Sequence, residues 1–204
     1  MKKIICYGDS NTFGYNTKDC SRFDKNTRWT ALLQKNLGAE YEVINEGLCD
    51  RTGFADNPKG YLFSAQKHFP EILSEYNSID ILILAIGTND LQIQYDISID
   101  AIEKGLENLI KQALPKAKNI IIIPPVVLGE KILEGFFNFQ FDKTSITKSN
   151  KLGKIYRQIS DTYNCNYFDI NEFTRPSDID GLHYDEKSHK LIATKLADYI
   201  SRNF

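Results

Sequence analysis

The sequence has 204 residues, a length typical of one domain or at most two small ones, and its 25 basic and 27 acidic side chains leave a formal net charge of −2. This balance argues against a protein that binds nucleic acids through a generally basic surface, and 42% hydrophobic with 25% charged residues excludes a disordered chain. The longest apolar runs, residues 79–86 and 120–127, are far shorter than the ~20 residues that a membrane-spanning helix needs.

The first predicted strand covers residues 3–7, an apolar run rich in β-branched side chains. A helix is predicted over residues 28–37, with Thr27 as its N-cap and Gly38 where helices often end on a glycine. A second strand is predicted over residues 41–45. The chain therefore begins with the alternation of strand and helix that is typical of α/β proteins.

The middle of the chain continues this alternation. Residues 61–76 have a helical pattern that Pro70 breaks or kinks. Residues 79–86 are apolar almost throughout, as expected of a central strand that is covered on both faces. Residues 98–114 carry apolar side chains with a period near 3.6, and Pro115 ends this predicted helix.

The C-terminal part adds two strands, over residues 119–123 and 166–169, and two helices, over residues 148–163 and 186–200. The whole pattern predicts an α/β fold with a parallel sheet and helices on both of its faces, because strand crossovers are right-handed. No repeat, linker or low-complexity segment interrupts the pattern. We therefore predict one domain, residues 1–204.

The loops that follow the predicted strands hold the chemically distinctive residues, and ligands of such sheets bind beyond the carboxyl ends of the strands. Ser10 lies in GDSNTFG, Gly47 ends NEG, and Asn89 lies in GTND. DGLH then places Asp180 and His183 three residues apart, just before the last helix. An ester hydrolase needs a hydroxyl nucleophile, a base, a group that orients the base, and donors for the oxyanion. Ser10, His183 and Asp180 are candidates for the first three; Asn89 and the N–H groups of Ser10 and Gly47 are candidate donors.

Each motif alone is more typical of a turn or a helix cap than of catalysis. GDS, NEG and ND after strands are common turn sequences, and DxxH before a helix is often a capping Asp with a surface His. The joint occurrence of the four motifs in this order, each where the fold brings loops together, favours a catalytic role.

In their order, GDSNT, the lone Gly47, GTND and DGLH resemble the four sequence blocks of the GDSL, or SGNH, hydrolase superfamily, and the match extends from residue 8 to residue 183. The segments TRWTALLQKNLG and VINEGLCDRTG are similar to its branch of small bacterial arylesterases and acyltransferases. The resemblance implies a flavodoxin-like, three-layer α/β/α fold whose five-stranded parallel sheet has the order 2-1-3-4-5. It also implies a serine esterase or acyltransferase that works without a metal or other cofactor.

Carried over residue by residue, the resemblance implies that Ser10 is the nucleophile, His183 the base and Asp180 the carboxylate that orients it. It further implies an oxyanion hole made of the Ser10 N–H, the Gly47 N–H and the Asn89 side chain.

Two residues beside Ser10 depart from the family pattern. Asn11 stands where the motif has leucine, and Phe13 stands where the arylesterase branch tends to carry tryptophan. Neither change touches the implied chemistry, and we expect both residues to help shape the substrate pocket.

An aromatic segment, residues 124–148, follows the fourth strand and contains Phe136, Phe137, Phe139 and Phe141. It is longer than the usual connection of 2–6 residues and leaves the sheet at the same edge as Ser10. We expect Phe136 and Phe137 to line the substrate pocket, and the segment to be exposed and to contact a second copy in a homo-oligomer. Packing of these rings within their own domain is the alternative.

Other polar residues have structural interpretations. His68 and His189 are predicted to be surface residues on helices, whereas Asp9 and Asp90 are predicted to fix loops by accepting backbone N–H groups. The four cysteines form no CxxC pair, and with only three histidines no metal-ligand spacing occurs. We therefore predict free thiols in a cytoplasmic protein, since the N-terminal residues also lack the apolar core of a signal peptide. A catalytic cysteine would need a histidine partner, and for Cys49 the sequence leaves this alternative open.

The leading hypothesis is a cytoplasmic serine esterase that hydrolyses or transacylates small, short-chain acyl esters through an acyl-enzyme and contacts neither nucleic acid nor membrane. One alternative is a flavodoxin-like module that binds a phosphate or nucleotide at GDSNTFG, although this loop lacks the P-loop lysine and the GxGxxG spacing. The other is an inactive relative of the SGNH hydrolases that serves as an interaction protein.

Overall fold

A five-stranded parallel sheet forms the centre of the computed structural model, which describes all residues from 1 to 204. Its strands are β1 (Lys2–Gly8), β4 (Tyr41–Gly47), β5 (Ile79–Ala85), β6 (Ala117–Ile123) and β7 (Asn166–Tyr167). Two further strands, β2 (Tyr15–Asn16) and β3 (Ser21–Arg22), form a separate short hairpin. The order in the sheet is β4-β1-β5-β6-β7, which is 2-1-3-4-5 when its five strands alone are counted. The expected sheet and its order are therefore confirmed.

Six helices accompany the sheet: α1 (Ser10–Phe13), α2 (Trp29–Leu37), α3 (Ala65–Ser74), α4 (Ile99–Ala113), α5 (Lys143–Thr162) and α6 (Glu186–Asn203). The connections from β1 to β4 and from β5 to β6 run in opposite directions along the sheet, so right-handed crossovers place α2 and α4 on opposite faces. α2 packs against α6, and α4 packs against α3 and α5. None of these helices combines the length and the apolar character needed to cross a lipid bilayer.

The central strands are apolar because helices cover both of their faces. Ile4 and Ile5 of β1 are completely inaccessible to solvent, and the side chains from Ile81 to Leu84 in β5 are buried. The register pairs Gly8 with Gly47 on one side and with Ala85 on the other, so the first three sheet strands end at the same level. The loops that follow them therefore meet at one edge of the sheet.

The N-cap residue predicted for α2 was wrong. Arg28, and not Thr27, occupies the N-cap position, and its side chain accepts no capping hydrogen bond. The Trp29 N–H is instead accepted by the Nδ1 atom of His189 in α6, at 3.2 Å. A contact between distant parts of the chain thus replaces the local cap, whereas Gly38 does end the helix, as predicted.

α5 begins five residues earlier than predicted because a capping box starts it. The Asp142 side chain accepts the N–H groups of Thr144 and Ser145, and the Ser145 hydroxyl accepts the Asp142 N–H. Such a box satisfies two of the helix's unpaired N–H groups reciprocally.

α3 also differs from the prediction, because residues 61–63 form a separate 3₁₀ turn and the α-helix begins at Ala65. Pro70 lies inside this helix without ending it, and the helix continues to Ser74.

The aromatic segment has a mixed environment, so the expectation that all four of its rings are exposed was wrong. Phe136 and Phe139 are 74% and 62% exposed, Phe137 is half-buried, and Phe141 is buried in the core. Phe141 directly precedes Asp142, the N-cap of α5, and its ring belongs to the hydrophobic core.

Candidate active site

Ser10 is the first residue of the short helix α1 and follows β1 after a single intervening residue, Asp9. The Asp9 carboxylate caps this turn by accepting the Asn11 N–H at 2.9 Å, as the sequence predicted. Burial raises the pKa of Asp9 above its ordinary value, and its hydrogen bonds act against that rise. The turn therefore holds the Ser10 hydroxyl at the carboxyl edge of the sheet.

Ser10, His183 and Asp180 form one continuous chain of hydrogen-bonded side chains, although Ser10 is 173 positions from His183. The Oγ atom of Ser10 lies 2.9 Å from Nε2 of His183, and Nδ1 of the same ring lies 2.7 Å from Oδ2 of Asp180. All three residues are buried. The three side chains are thus brought together as the sequence predicted.

The second oxygen of Asp180 is held by the backbone. It accepts the N–H groups of Leu182 and His183 at 2.9 and 3.0 Å. Burial alone would raise the pKa of Asp180, but its hydrogen bond to the His183 ring, the charge of that ring and the two backbone N–H groups together keep the pKa below its ordinary value. The carboxylate is therefore ionised and fixed beside the imidazole.

Two aromatic rings flank the His183 imidazole. The Tyr15 ring lies 4.5 Å from it and the Phe137 ring 5.4 Å, measured between ring centroids. These two contacts restrict rotation of the imidazole, whose Nε2 atom faces Ser10. Phe137 thus reaches the site, as expected from the sequence.

Asn11 connects the serine turn to the histidine loop and does not line the substrate cavity. Its Nδ2 atom donates to the Leu182 carbonyl at 3.2 Å, and its Oδ1 atom accepts the Tyr184 N–H at 3.0 Å. Phe13 also lies outside the cavity, where its ring packs under the Arg22 guanidinium at 4.3 Å. Both residues were expected in the pocket, but their side chains are held by these other contacts.

The Asn89 side chain faces the same cavity as Ser10. Its Nδ2 atom donates one hydrogen to the Arg51 carbonyl at 3.0 Å, and its Oδ1 atom accepts a hydrogen from Nε2 of Gln92 at 3.0 Å. A carboxamide has two N–H hydrogens, so one Asn89 donor has no acceptor within the protein.

Gly47 occupies a different place from the one expected of an oxyanion donor. Its N–H donates to the Asn45 side chain at 2.9 Å, and the residue does not line the cavity. A Cβ atom at this position would lie 2.2 Å from the Phe13 backbone nitrogen, so only glycine fits. The close approach to the serine turn explains this glycine.

Asp50 lines the cavity instead, and the sequence analysis did not single it out. Its φ of 63° lies in the left-handed region, which non-glycine residues seldom adopt. Asn57 donates to the Asp50 carbonyl at 2.7 Å, and the Lys59 ammonium pairs with the carboxylate at 2.5 Å. Neither the Asp50 N–H nor the Ser10 N–H has an acceptor within the protein. No motif in the sequence points to Asp50, and its unusual φ is visible only in the structure.

Asp90, next to Asn89, holds the neighbouring loop, as predicted. Its carboxylate accepts the N–H groups of Gly53, Phe54 and Ala55 at 2.6–2.7 Å. Burial raises its pKa to about 6, although the three amides favour the ionised form. Both carboxylate oxygens of Asp90 are thus bonded to this loop, which begins three residues after Asp50.

A cavity of about 310 Å³ opens beside Ser10. One of its walls is aromatic, and other lining residues are polar: Tyr15, Phe136, Phe137 and Phe139 form the wall, and Cys49, Asp50, Lys59 and Gln140 are among the rest. Burial, together with the charges of Asp50 and Asp9, raises the pKa of the Cys49 thiol to about 12. Cys49 therefore stays protonated, and Nε2 of His183 faces Ser10 instead.

The prediction that His68 and His189 lie on the surface was wrong. His189 is completely buried between α6 and the start of α2, where its ring meets the edge of Phe23, and His68 is also buried beside Tyr61. Both residues lie on helices, but on faces that pack against the rest of the protein.

The chain is similar to one protein family and to several solved structures. The model of the GDSL-like Lipase/Acylhydrolase family matches residues 6–191. The inhibitor-bound aryl esterase of M. smegmatis is similar in structure, with a TM-score of 0.93, 26% identity and full coverage of both chains. Est24, a carbohydrate acetylesterase from Sinorhizobium meliloti, gives a TM-score of 0.92 with 25% identity, again over the whole of both chains. A search of curated protein sequences gave no match.

Proposed function

Because the chain belongs to the GDSL-like lipase/acylhydrolase family and is a carboxylic ester hydrolase, we propose that it works through Ser10, His183 and Asp180. The observation that carries this proposal is the hydrogen-bond chain from the Ser10 hydroxyl through the His183 ring to the Asp180 carboxylate. A hydroxyl, an imidazole and a buried carboxylate in this order are the parts of a serine hydrolase triad.

In the proposed reaction, the Ser10 Oγ atom bonds to the ester carbonyl carbon while Nε2 of His183 takes the hydroxyl proton. The tetrahedral intermediate then breaks its bond to the alcohol oxygen, and the departing alcohol receives that proton. An acyl group remains on Ser10. A water molecule, activated by His183 in the same way, attacks this acyl-enzyme and releases the acid; a second alcohol in place of water would give acyl transfer.

Asp180 acts on His183 throughout this cycle. Its Oδ2 atom accepts the Nδ1 hydrogen, so the unprotonated nitrogen of the neutral ring is Nε2, which faces Ser10. The low pKa of Asp180 keeps the carboxylate negative, and this charge stabilises the imidazolium that forms as the serine proton is transferred.

For the oxyanion we propose three donors: the Ser10 N–H, the free Asn89 hydrogen and the Asp50 N–H. All three residues line the cavity, and none of these donors has an acceptor in the protein. Asp50 replaces Gly47 in this role, because the Gly47 N–H is already bonded to Asn45. Donors that are fixed before the reaction stabilise the charge that develops on the carbonyl oxygen.

The proposed substrates are small esters of short-chain acids. A cavity of about 310 Å³ is at the lower end of the volumes typical of ligand pockets, and the half-buried Phe137 ring lies against the His183 ring beside the nucleophile. The aromatic wall and the Asp50–Lys59 ion pair suit an alcohol that is aromatic or bears hydroxyl groups, in keeping with the aryl esterase and carbohydrate acetylesterase neighbours.

We further propose that residues 1–204 form one domain and that the exposed Phe136 and Phe139 contact a second copy. The Phe136 ring meets the edges of both neighbouring rings, at 5.2 Å from Phe137 and 6.1 Å from Phe139. These rings form an apolar patch that is continuous with the cavity, and burial of such a patch favours association.

The experiment compares the wild type with Ser10→Ala and with Ser64→Ala as a matched control. Ser64 is also buried, but its hydroxyl has no hydrogen-bond partner and lies outside the cavity. We expect p-nitrophenyl acetate turnover, and covalent labelling by a serine-directed organophosphonate, in the wild type and in S64A but not in S10A. Turnover retained in S10A, or a label on another residue, would contradict the assignment. Absence of both in the wild type would instead favour the inactive relative.

A further inference from the structure

Gln92 is a buried residue that touches the candidate site without lining its cavity. It lies in the segment that follows the turn with Asn89, and its Nε2 atom donates to Oδ1 of Asn89 at 3.0 Å. The Gln92 Oε1 atom in turn accepts a hydrogen from Nε2 of Gln94 at 2.6 Å. Gln92 therefore bonds to the oxygen end of Asn89, the end opposite the proposed oxyanion donor.

These bonds run in one direction, from Gln94 through Gln92 and Asn89 to the Arg51 carbonyl. A backbone carbonyl can only accept, so the nitrogen of Asn89 must face Arg51. If the Asn89 amide turned over, its oxygen would face the Arg51 carbonyl and its nitrogen would face the Gln92 amide nitrogen. Both contacts would then be repulsive. The Arg51 carbonyl therefore fixes which end of Asn89 is the donor, and the hydrogen bond from Gln92 holds the opposite end of the amide in place.

The backbone on both sides of Gln92 is anchored as well. The Ser145 hydroxyl donates to the Leu91 carbonyl at 2.7 Å, and the Ile93 N–H donates to the Gln140 carbonyl at 2.8 Å. With its backbone and its amide both held, the Gln92 side chain has little freedom to leave Asn89. A buried polar side chain that is held by several hydrogen bonds is well suited to orient another group.

We propose that Gln92 is a positioning residue for ester hydrolysis, which holds the Asn89 amide so that its free N–H hydrogen points at the oxyanion. This inference rests on the proposed role of Asn89. An amide that rotates freely would present the donor only part of the time and would stabilise the transition state less.

The test uses Gln92→Met, which keeps the length of the side chain but cannot donate, and Gln92→Glu, whose carboxylate has nearly the same shape. We expect kcat for p-nitrophenyl acetate to fall about tenfold in each, with KM within twofold, because the lost interaction matters in the transition state. Gln66→Met is the matched control, since Gln66 donates to the Gly105 carbonyl at 2.9 Å but lies outside the site. We expect wild-type kcat for Q66M, and melting curves verify that each variant is folded.

The decisive measurement repeats Gln92→Met in an Asn89→Ala background. Once the Asn89 amide is absent, Gln92 has nothing to orient, so we expect no further loss of kcat. An equal tenfold loss in both backgrounds would show a general structural role and overturn the inference. A slow N89A enzyme with Q92M at the wild-type rate would overturn this inference alone. N89A at the wild-type rate would overturn the proposed oxyanion hole together with it.

Discussion

Acid should destabilise this protein through His189, the buried histidine that accepts the first N–H of α2. The pKa of His189 is lowered to about 4 from an ordinary value of 6.5, mainly by burial and in part by the charge of His183, while Asp185 and Glu186 act in the opposite direction. Its Nδ1 atom must be unprotonated to accept the Trp29 N–H. The folded protein therefore favours the neutral ring.

The sign and size of the effect follow from this pKa shift. Between pH 6.5 and 4, the unfolded chain binds a proton at this histidine that the folded chain does not, so the free energy of unfolding falls as the pH falls. A shift of about 2.5 pKa units at ~1.4 kcal/mol each corresponds to a loss of about 3 kcal/mol, of which about 2 kcal/mol is already lost at pH 5. That is a substantial part of the 5–15 kcal/mol that stabilises a typical protein.

The assay is urea unfolding at pH 7.5 and pH 5 for the wild type and for His189→Asn, whose Oδ1 atom can accept the Trp29 N–H but does not titrate. We expect the wild type to lose about 2 kcal/mol more than H189N over this range. The raised pKa of Asp90 acts with the opposite sign, but it is present in both proteins and cancels. Equal pH dependence in the two proteins would refute the reasoning.

The other predictions concern the site itself. Ser10→Ala, His183→Ala and the double variant should each lower kcat by about 10⁴-fold or more and to a similar extent, because the two groups act as one unit; additive losses would contradict this. Asn89→Ala should lower kcat by about 10²–10³-fold at nearly constant KM, whereas Asp90→Ala should mainly lower stability, by about 3 kcal/mol, because three backbone N–H groups lose their acceptor. Replacing Phe136, Phe137 and Phe139 of the cavity wall by serine should reduce the mass in solution and extend activity to esters of longer acyl chains. An unchanged mass together with an unchanged chain-length preference would show that these rings only pack locally.

The sheet could be predicted from the sequence because its strands are apolar runs of the right length, such as residues 79–86. Helix boundaries were harder to predict where the residue that stabilises the end of the helix is distant in sequence. The start of α2 depends on His189, about 160 positions away, which no local pattern reveals. The start of α5 was missed for a different reason, since the capping box at Asp142 is local and lies within a stretch dominated by phenylalanines.

That Ser10, His183 and Asp180 come together could be predicted because each lies in a short motif of characteristic residue types. The proposed oxyanion donors could not all be predicted in the same way, because a backbone N–H is available at every residue except proline. Which residues line the cavity depends on the path of the loop after β4, and that path places Asp50 there and not Gly47. Position 47 requires glycine because its backbone lies close to the serine turn. In the sequence, a glycine required for packing looks the same as a glycine required for catalysis.

The backbone of the loop with Asp50 is held by several polar side chains near the site. A non-glycine residue in the left-handed region costs about 1–3 kcal/mol, and it persists only where its surroundings hold it. Here Asn57 holds the Asp50 carbonyl, Lys59 holds its carboxylate, and Asp90 holds the three N–H groups that begin at Gly53. Asn89 bonds to the carbonyl of the very next residue, Arg51. One hydrogen bond therefore joins the loop that carries Asn89 to the loop that carries Asp50, and we expect a disturbance of either loop to affect both proposed donors.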